Sequence, residues 1–210
     1  MNKQKWYPSI ILTAFALSGM TALIYEVVWA RSLQLIFGST IYAISTILTT
    51  FFVGFALGSY AFRNLADRTE NPERLFVLLE LAIGLYGLII LYLFKILPPI
   101  YLYLTGMPGI QLMQFFILFL VLITPATLFG ATWPIISRIY ANHERLGRGI
   151  GRLYSSNSFG SFIGSMATGF FLIPLIGIMA TAIVAASINL LIALTISVLS
   201  EKMKGAKDEP

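Results

Sequence analysis

The sequence contains no cysteine and only one histidine among its 210 residues. The absence of cysteine excludes disulfide bonds and thiolate metal sites, and it leaves the redox compartment unspecified. No Ser/His/Asp set, metal-ligand cluster or phosphate-binding loop is found, and His143 lies in a polar loop. We therefore expect neither an enzyme nor a bound cofactor or metal.

Charged residues are also scarce, at 11% of the chain, against about 25% in a typical soluble domain. Hydrophobic residues make up 58%, and the mean hydropathy is +0.84. The apolar segments are continuous rather than alternating, which argues against a transmembrane β-barrel. The first of them is too long for a cleavable signal peptide. The composition predicts an all-α, polytopic protein whose first partner is the lipid bilayer.

Six segments are each long and apolar enough to cross a bilayer. They cover residues 8–30, 41–62, 75–94, 111–136, 153–174 and 178–199, and a polar cytoplasmic tail follows at 201–210. Residues 31–40 and 105–109 and Gly177 are predicted turns. Pro125, Gly130 and Pro134 are expected to interrupt the fourth segment and to free backbone carbonyls there.

A net charge of +5 is compatible with binding to a nucleic acid, but the location of the basic residues argues against such a partner. Twelve of the fourteen lysines and arginines lie in the N-terminal segment, in 63–74, in 138–152 and in the tail. This is the positive-inside pattern of membrane proteins. We therefore expect both termini in the cytoplasm, and the plasma (inner) membrane of a prokaryote as the location.

Two carboxylates, Glu26 and Glu80, interrupt the predicted spans. A charge at the bilayer centre costs about 2.5–3.5 kcal/mol on insertion scales, so each must face the bundle interior, a partner or water. Glu80 lies roughly 9 Å into its span and Glu26 toward the outer side, so they are not an obvious pair. Glu26 is either a cation- or proton-binding group or a structural residue bonded to a neighbouring helix. Glu80 is either a cation- or proton-binding group as well, or the partner of a loop arginine.

Further candidates lie near these carboxylates or in the fifth span. Tyr25 and Trp29 flank Glu26, and they could form a cation–π wall or belong to an aromatic belt at the membrane interface. Arg31 could bind an anion, neutralise Glu26 or anchor the helix at the interface. Asn157 could line a cavity or hold two helices together.

Spans two and five share a G-x-x-x-G-S pattern, which places two glycines on one helix face. The glycines are Gly54 and Gly58 in span two and Gly160 and Gly164 in span five. They predict close helix packing or a dimer interface. Two three-helix units in inverted topology would place the pattern in these spans, although six residues in glycine-rich helices can also match by chance.

The chain resembles the membrane domain of fused major-facilitator/spermidine-synthase-like proteins. The matching stretches are SGMTALIYEVVWAR (18–31), FGSTIYAISTIL (37–48), GFALGSYAFRNLADR (54–68), PATLFGATWPIISR (125–138) and GRLYSSNSFGSFIGSMATGFFLIPLIG (151–177). The resemblance implies half of a major facilitator fold. The soluble aminopropyltransferase-like domain that often follows in the family has no counterpart in this sequence.

Major facilitator transporters also carry a G-x-L-A-D-R-x-G-R-type loop between spans two and three. The residues at 65–68 match its L-A-D-R part, whereas Arg63 replaces the leading glycine and the later Gly-Arg is missing. The resemblance implies a gating role for Asp67 and Arg68. A solvated loop is the alternative.

The resemblance implies a transporter that acts as a homodimer, because two copies would reproduce the symmetry of a full major facilitator. A small cationic or amine substrate, with or without proton coupling, would bind near the midplane between the copies, beside Glu26. An amine is expected as the substrate because the family's enzyme domains act on polyamines. The alternative is a non-transporting anchor or regulatory module for a separate aminopropyltransferase-like enzyme, docked on the 138–152 loop.

Overall fold

The computed structural model describes residues 6–37, 41–104, 106–141 and 146–205. Part of the predicted turn at 31–40, His143 and the end of the predicted tail lie outside these ranges. The described residues contain no β-strand, and they form six α-helices and one π-helical segment. These are α1 (Tyr7–Phe37), α2 (Ile41–Arg68), α3 (Pro72–Leu104), α4 (Ile110–Ala141), α5 (Leu146–Ala167), the π-helix (Thr168–Leu172) and α6 (Ile173–Gly205).

Five helical stretches within the described ranges are long and apolar enough to cross a membrane. Four correspond to α1, α2, α3 and α4. The fifth covers Gly147–Lys202 and includes α5, the π-helix and α6. Length and composition therefore indicate an integral membrane protein, as predicted.

Residues that were predicted to form a turn or a loop belong to helices instead, because the helices extend beyond their apolar cores. Residues 31–37 continue α1 and do not begin a turn. Asp67 and Arg68 occupy the last turn of α2, where a loop was predicted. The helix α3 continues through Pro98 and Pro99 to Leu104.

The two prolines of α4 do not interrupt it, contrary to the prediction. A proline inside a helix leaves the carbonyl four residues before it without its hydrogen bond. The hydroxyl of Tyr86, on α3, donates at 3.0 Å to the carbonyl that Pro125 frees. The hydroxyl of Ser59, on α2, donates at 3.0 Å to the carbonyl that Pro134 frees. Side chains of two neighbouring helices thus satisfy both carbonyls, and α4 remains helical.

A close helix pair is formed by α1 and α5. A Cβ atom at Gly160 would overlap the carbonyl of Ala16, and one at Gly164 would overlap the carbonyl of Met20. Residue numbers increase along both helices together, so the two run parallel. Ser161 adds a hydrogen bond to the carbonyl of Gly19 at 3.1 Å.

The helices α2 and α4 form an equivalent pair. A Cβ atom at Gly54 would overlap Ala126, and one at Gly58 would overlap the carbonyl of Thr127. These helices also run parallel. The four glycines of the repeated pattern therefore pack helices within one chain, and only Gly can occupy sites where the backbones approach so closely.

The bundle is completed by α3 and α6, which pack against each other and against α4 and α1 respectively. Glu80 and Gly84 of α3 contact Asn189, and Leu91 and Phe94 line a groove with Ile178, so the two helices are antiparallel.

Within the α6 range, Gly177 has φ 80° and ψ 172° and breaks the helix. A positive φ is readily adopted only by glycine.

Candidate functional site: a buried polar cluster and a free carboxylate

The side chain of Glu80 lies in the interior of the bundle and is 0% exposed. The Ser18 hydroxyl donates to its Oε1 at 2.6 Å, and Asn189 Nδ2 donates to its Oε2 at 2.7 Å. Three helices therefore meet at this carboxyl group: α1, α3 and α6. No arginine or lysine pairs with Glu80 in the part of the chain that the structure describes, so the expected alternative of a loop arginine is wrong there.

Thr21 extends the cluster along α1. Its hydroxyl accepts a second hydrogen bond from Asn189 Nδ2 at 3.1 Å and donates to the Ser18 carbonyl at 2.9 Å. All four side chains are buried. The missing side chain of Gly84 makes room for Asn189, because a Cβ at Gly84 would lie 3.3 Å from the Asn189 Cβ.

Two polar atoms beside this cluster are buried without a hydrogen-bond partner among the described residues: the Tyr25 hydroxyl and Asn189 Oδ1. The Tyr25 ring covers Gly87, where a Cβ atom would overlap the ring. Gly87 lies seven residues after Glu80, which is about 10 Å along α3. Native proteins leave few buried polar groups unsatisfied, so these two atoms are exceptions in an otherwise bonded interior.

Tyr25 and Trp29 belong to an aromatic cluster where α1, α2 and α4 meet. Their rings stack with centroids 5.4 Å apart, and Trp29 lies 5.9 Å from Phe51 and 6.4 Å from Phe129. Both residues are 0% exposed. Full burial does not fit an aromatic belt at the membrane surface, and it leaves no ring face open to a cation in this conformation.

Glu26 is half-buried, and it has no hydrogen-bond or ion-pair partner within the described ranges. It lies six residues beyond Met20, whose carbonyl contacts Gly164 of the parallel helix α5. Six residues beyond Gly164 is Phe170, in the π-helix, so Glu26 is level with that segment. π-Helical turns are rare and often occur at functional sites.

The remaining predicted residues lie apart from both carboxylates or serve packing. Asn157 Nδ2 donates to the Phe15 carbonyl at 3.2 Å, which is the predicted alternative of holding two helices together. Arg31 is exposed near the C-terminal end of α1, and no ion pair to Glu26 is seen in the described part of the chain. Asp67 and Arg68 are exposed at the end of α2.

Sequence reasoning identified Glu80 but missed its partners Ser18, Thr21 and Asn189. A signal was available for Asn189, because it is a strongly polar residue in the middle of an apolar span. Ser18, Thr21 and Tyr25 also recur at i, i+3 and i+7, which places them on one face of α1. Hydroxyl groups in apolar helices commonly bond their own backbone, so this pattern alone did not indicate a site.

A groove of about 350 Å³ opens between the first half of α1 and the second half of α6. Three hydroxyl residues line it, Ser9, Thr13 and Thr195, among apolar side chains. Two further lining residues, Leu17 and Leu191, lie one and two residues from Ser18 and Asn189 respectively. The groove therefore reaches the level of the polar cluster along both helices, while the side chains of the cluster stay buried.

No protein-family model matches this chain, and no curated protein or solved structure matches it either. The geometry described above, together with the motif resemblance, is therefore the basis of the functional proposal.

Proposed function

We propose that the chain is a six-span half-transporter of the major facilitator type, which pairs with a second copy to move a small organic cation. Glu26 is the cation-binding group. We base this on one observation: Glu26 is a carboxylate at membrane depth without a partner in the described structure, whereas Glu80 is fully bonded inside the bundle. An unpaired intramembrane acid has to be neutralised by a proton, a substrate or another chain.

The helix directions support six spans with both termini on one side. The helix α1 runs parallel to α5, and also to α3, because Ser18 contacts Glu80 and Tyr25 contacts Gly87. The part of α6 after Gly177 runs antiparallel to α3. The chain therefore returns across the membrane after the break at Gly177. This arrangement brings the basic ends of α2, α4 and α5 to one end of the bundle, and that end is cytoplasmic by the positive-inside rule.

The packing of the helices supports an inverted repeat of two three-helix units. Exchanging α1 with α4, α2 with α5 and α3 with α6 converts the α2–α4 pair into the α5–α1 pair. The same exchange converts α3–α4 into α6–α1 and maps α3–α6 onto itself, and all of these pairs are in contact. Such internal symmetry is typical of transporter folds.

A second copy would complete the site, because Glu26 lies at the edge of a single bundle. The neighbouring π-helix exposes Phe170 and Phe171, which are 76% and 55% accessible. In the proposed dimer these aromatic side chains and Glu26 of each copy border one cavity near the midplane. Two carboxylates related by symmetry favour a cationic substrate, and the family resemblance points to an organic amine.

Uptake into reconstituted vesicles tests the proposal directly. Wild-type protein should accumulate a radiolabelled polyamine such as spermidine or a quaternary amine such as tetraethylammonium. Glu26→Gln should abolish this uptake, because it removes the charge but retains the shape. Glu201→Gln is the matched control, since Glu201 is exposed at the end of α6. Equal uptake by wild type and Glu26→Gln would refute the role of Glu26.

Native mass spectrometry in nanodiscs tests the pairing. A dimer that retains uptake supports two copies around one site. A monomer without uptake of any amine would instead favour the anchor or regulatory module, whose soluble enzyme partner would then have to be sought by co-purification.

A further inference from the structure

We propose that Glu80, Ser18 and Asn189 form a proton-binding site inside the bundle, which is reached through the groove between α1 and α6. The site is separate from Glu26, and its test does not depend on whether the chain transports a substrate. Its ligand is a single proton, taken from water and returned to water.

No cation neutralises Glu80 within the described structure. From α1, the ionisable Tyr25 interacts electrostatically with Glu80, and α6 contributes the neutral Asn189. On α4, Arg138 is exposed, and the Tyr140 hydroxyl is buried with no partner among the residues that the structure describes. The other charged residues of α3 near this end are Glu73 and Arg74, six to seven residues earlier. Burial without a counter-charge is costly, and a bound proton removes that cost.

The geometry leaves room for a proton and for nothing larger. Ser18 Oγ and Glu80 Oε1 are 2.6 Å apart, and Asn189 Nδ2 and Glu80 Oε2 are 2.7 Å apart. A metal ion would have to separate these pairs, because it needs its own contacts of about 2.3 Å or more to each oxygen. No group of three or more His, Cys, Asp or Glu residues that could hold a metal occurs in the described ranges.

The network can satisfy both protonation states by rotating one hydroxyl. With Glu80 charged, the Ser18 hydroxyl donates to Oε1 and Asn189 donates to Oε2. When a hydronium ion delivers its proton, the new O–H bond forms at Oε1 and water leaves. The protonated Oε1 then donates to Ser18 Oγ, and the Ser18 hydrogen turns to the carbonyl one turn back in α1. The Ser32 hydroxyl makes the equivalent bond in the same helix, because it donates to the carbonyl of Val28.

The groove supplies the access route. It begins near Trp6 at the cytoplasmic end of α1 and carries the hydroxyls of Ser9, Thr13 and Thr195, which can order water. Its lining residues Leu17 and Leu191 lie one and two residues from Ser18 and Asn189 along their helices. A shift of these side chains would admit water from the groove to the buried cluster.

Infrared difference spectroscopy of the protein in lipid, between pH 5 and pH 9, tests the site. The wild type should show the carbonyl absorption of a neutral carboxylic acid that changes with pH. Glu80→Gln should lose that absorption, and Glu26→Gln should retain it. Ser18→Ala should shift its frequency, because the hydroxyl that accepts from the acid is gone.

Glu80→Gln is expected to fold. Its amide can accept from Ser18 and donate to Asn189 Oδ1, which has no partner within the described ranges of the wild type. If that variant cannot be purified, the frequency shift in Ser18→Ala serves as the assignment. Two results would overturn the proposal. One is an identical pH-dependent spectrum in wild type and Glu80→Gln. The other is a spectral change produced by sodium at constant pH in wild type but not in Glu80→Gln, which would make this a sodium site.

Discussion

Replacing Asn189 by leucine removes the amide that joins α6 to both α3 and α1. Leucine keeps the branching at Cγ but is larger, and the main effect that we expect is the loss of two hydrogen bonds, at 2.7 Å to Glu80 and at 3.1 Å to Thr21. We expect the folded state to lose stability, and the size of the loss reports how much the bundle depends on this polar contact.

Two magnitudes compete in this prediction. Interhelical hydrogen bonds in membranes average about 0.6 kcal/mol, because unfolded helices in lipid also find partners. Removing one partner of a buried polar group costs roughly 1–3 kcal/mol, and more for a charged one. Glu80 has only two donors in the described structure, and the variant leaves its Oε2 with none. The second effect should dominate, so we expect a loss of about 2–3 kcal/mol.

A double-mutant cycle separates this coupling from simple packing. Asn189→Leu, Glu80→Leu and the double variant would be unfolded reversibly in mixed lipid–detergent micelles. The double variant removes both partners and leaves no orphaned carboxyl, so its loss should fall short of the sum of the single losses by about 1 kcal/mol or more. If the loss of stability in the double variant equals the sum of the two single losses to within about 0.5 kcal/mol, the reasoning is refuted.

Two further features of the packing give predictions of similar kind. Tyr86→Phe and Ser59→Ala each leave a proline-freed carbonyl of α4 without its donor, and each should destabilise the bundle by roughly 0.6–1.7 kcal/mol in the same unfolding assay. A loss below about 0.2 kcal/mol in both variants would mean that these hydroxyls do not support α4. Gly160→Ala should prevent the close approach of α5 to α1 and lower the yield of folded protein in detergent. Gly151→Ala in the same helix should leave the yield unchanged, since a Cβ there meets no other atom, and equal yields would contradict the packing role of Gly160.

Much of the helical framework could be predicted from the sequence, because hydropathy depends on composition over a window of about 20 residues. The positions of the helix ends could not be predicted in this way. The stretch 31–40 was predicted to be a turn because it contains Gln34, Gly38 and Ser39, yet residues 31–37 continue α1, and Ser32, Leu33 and Phe37 are buried there. The continuity of α4 depends on hydroxyls from other helices, and no local pattern shows them.

The candidate site was predictable only in part, for the same physical reason. An acid in an apolar segment is conspicuous on its own, so both Glu26 and Glu80 were identified. The partners of Glu80 are 62 and 109 residues away in the chain, and three-helix packing brings them together. Sequence reasoning also gave Glu26 the central place, whereas the bonded cluster forms around Glu80.

The hydroxyls that support α4 bear on the order in which the chain is made. Ser59 and Tyr86 both precede α4, so a ribosome completes their helices before Pro125 and Pro134 leave the exit tunnel. The carbonyls of α4 therefore enter a membrane that already holds their donors. A circular permutant that begins with α4 would reverse this order, and its first helix would enter the lipid with both carbonyls uncapped.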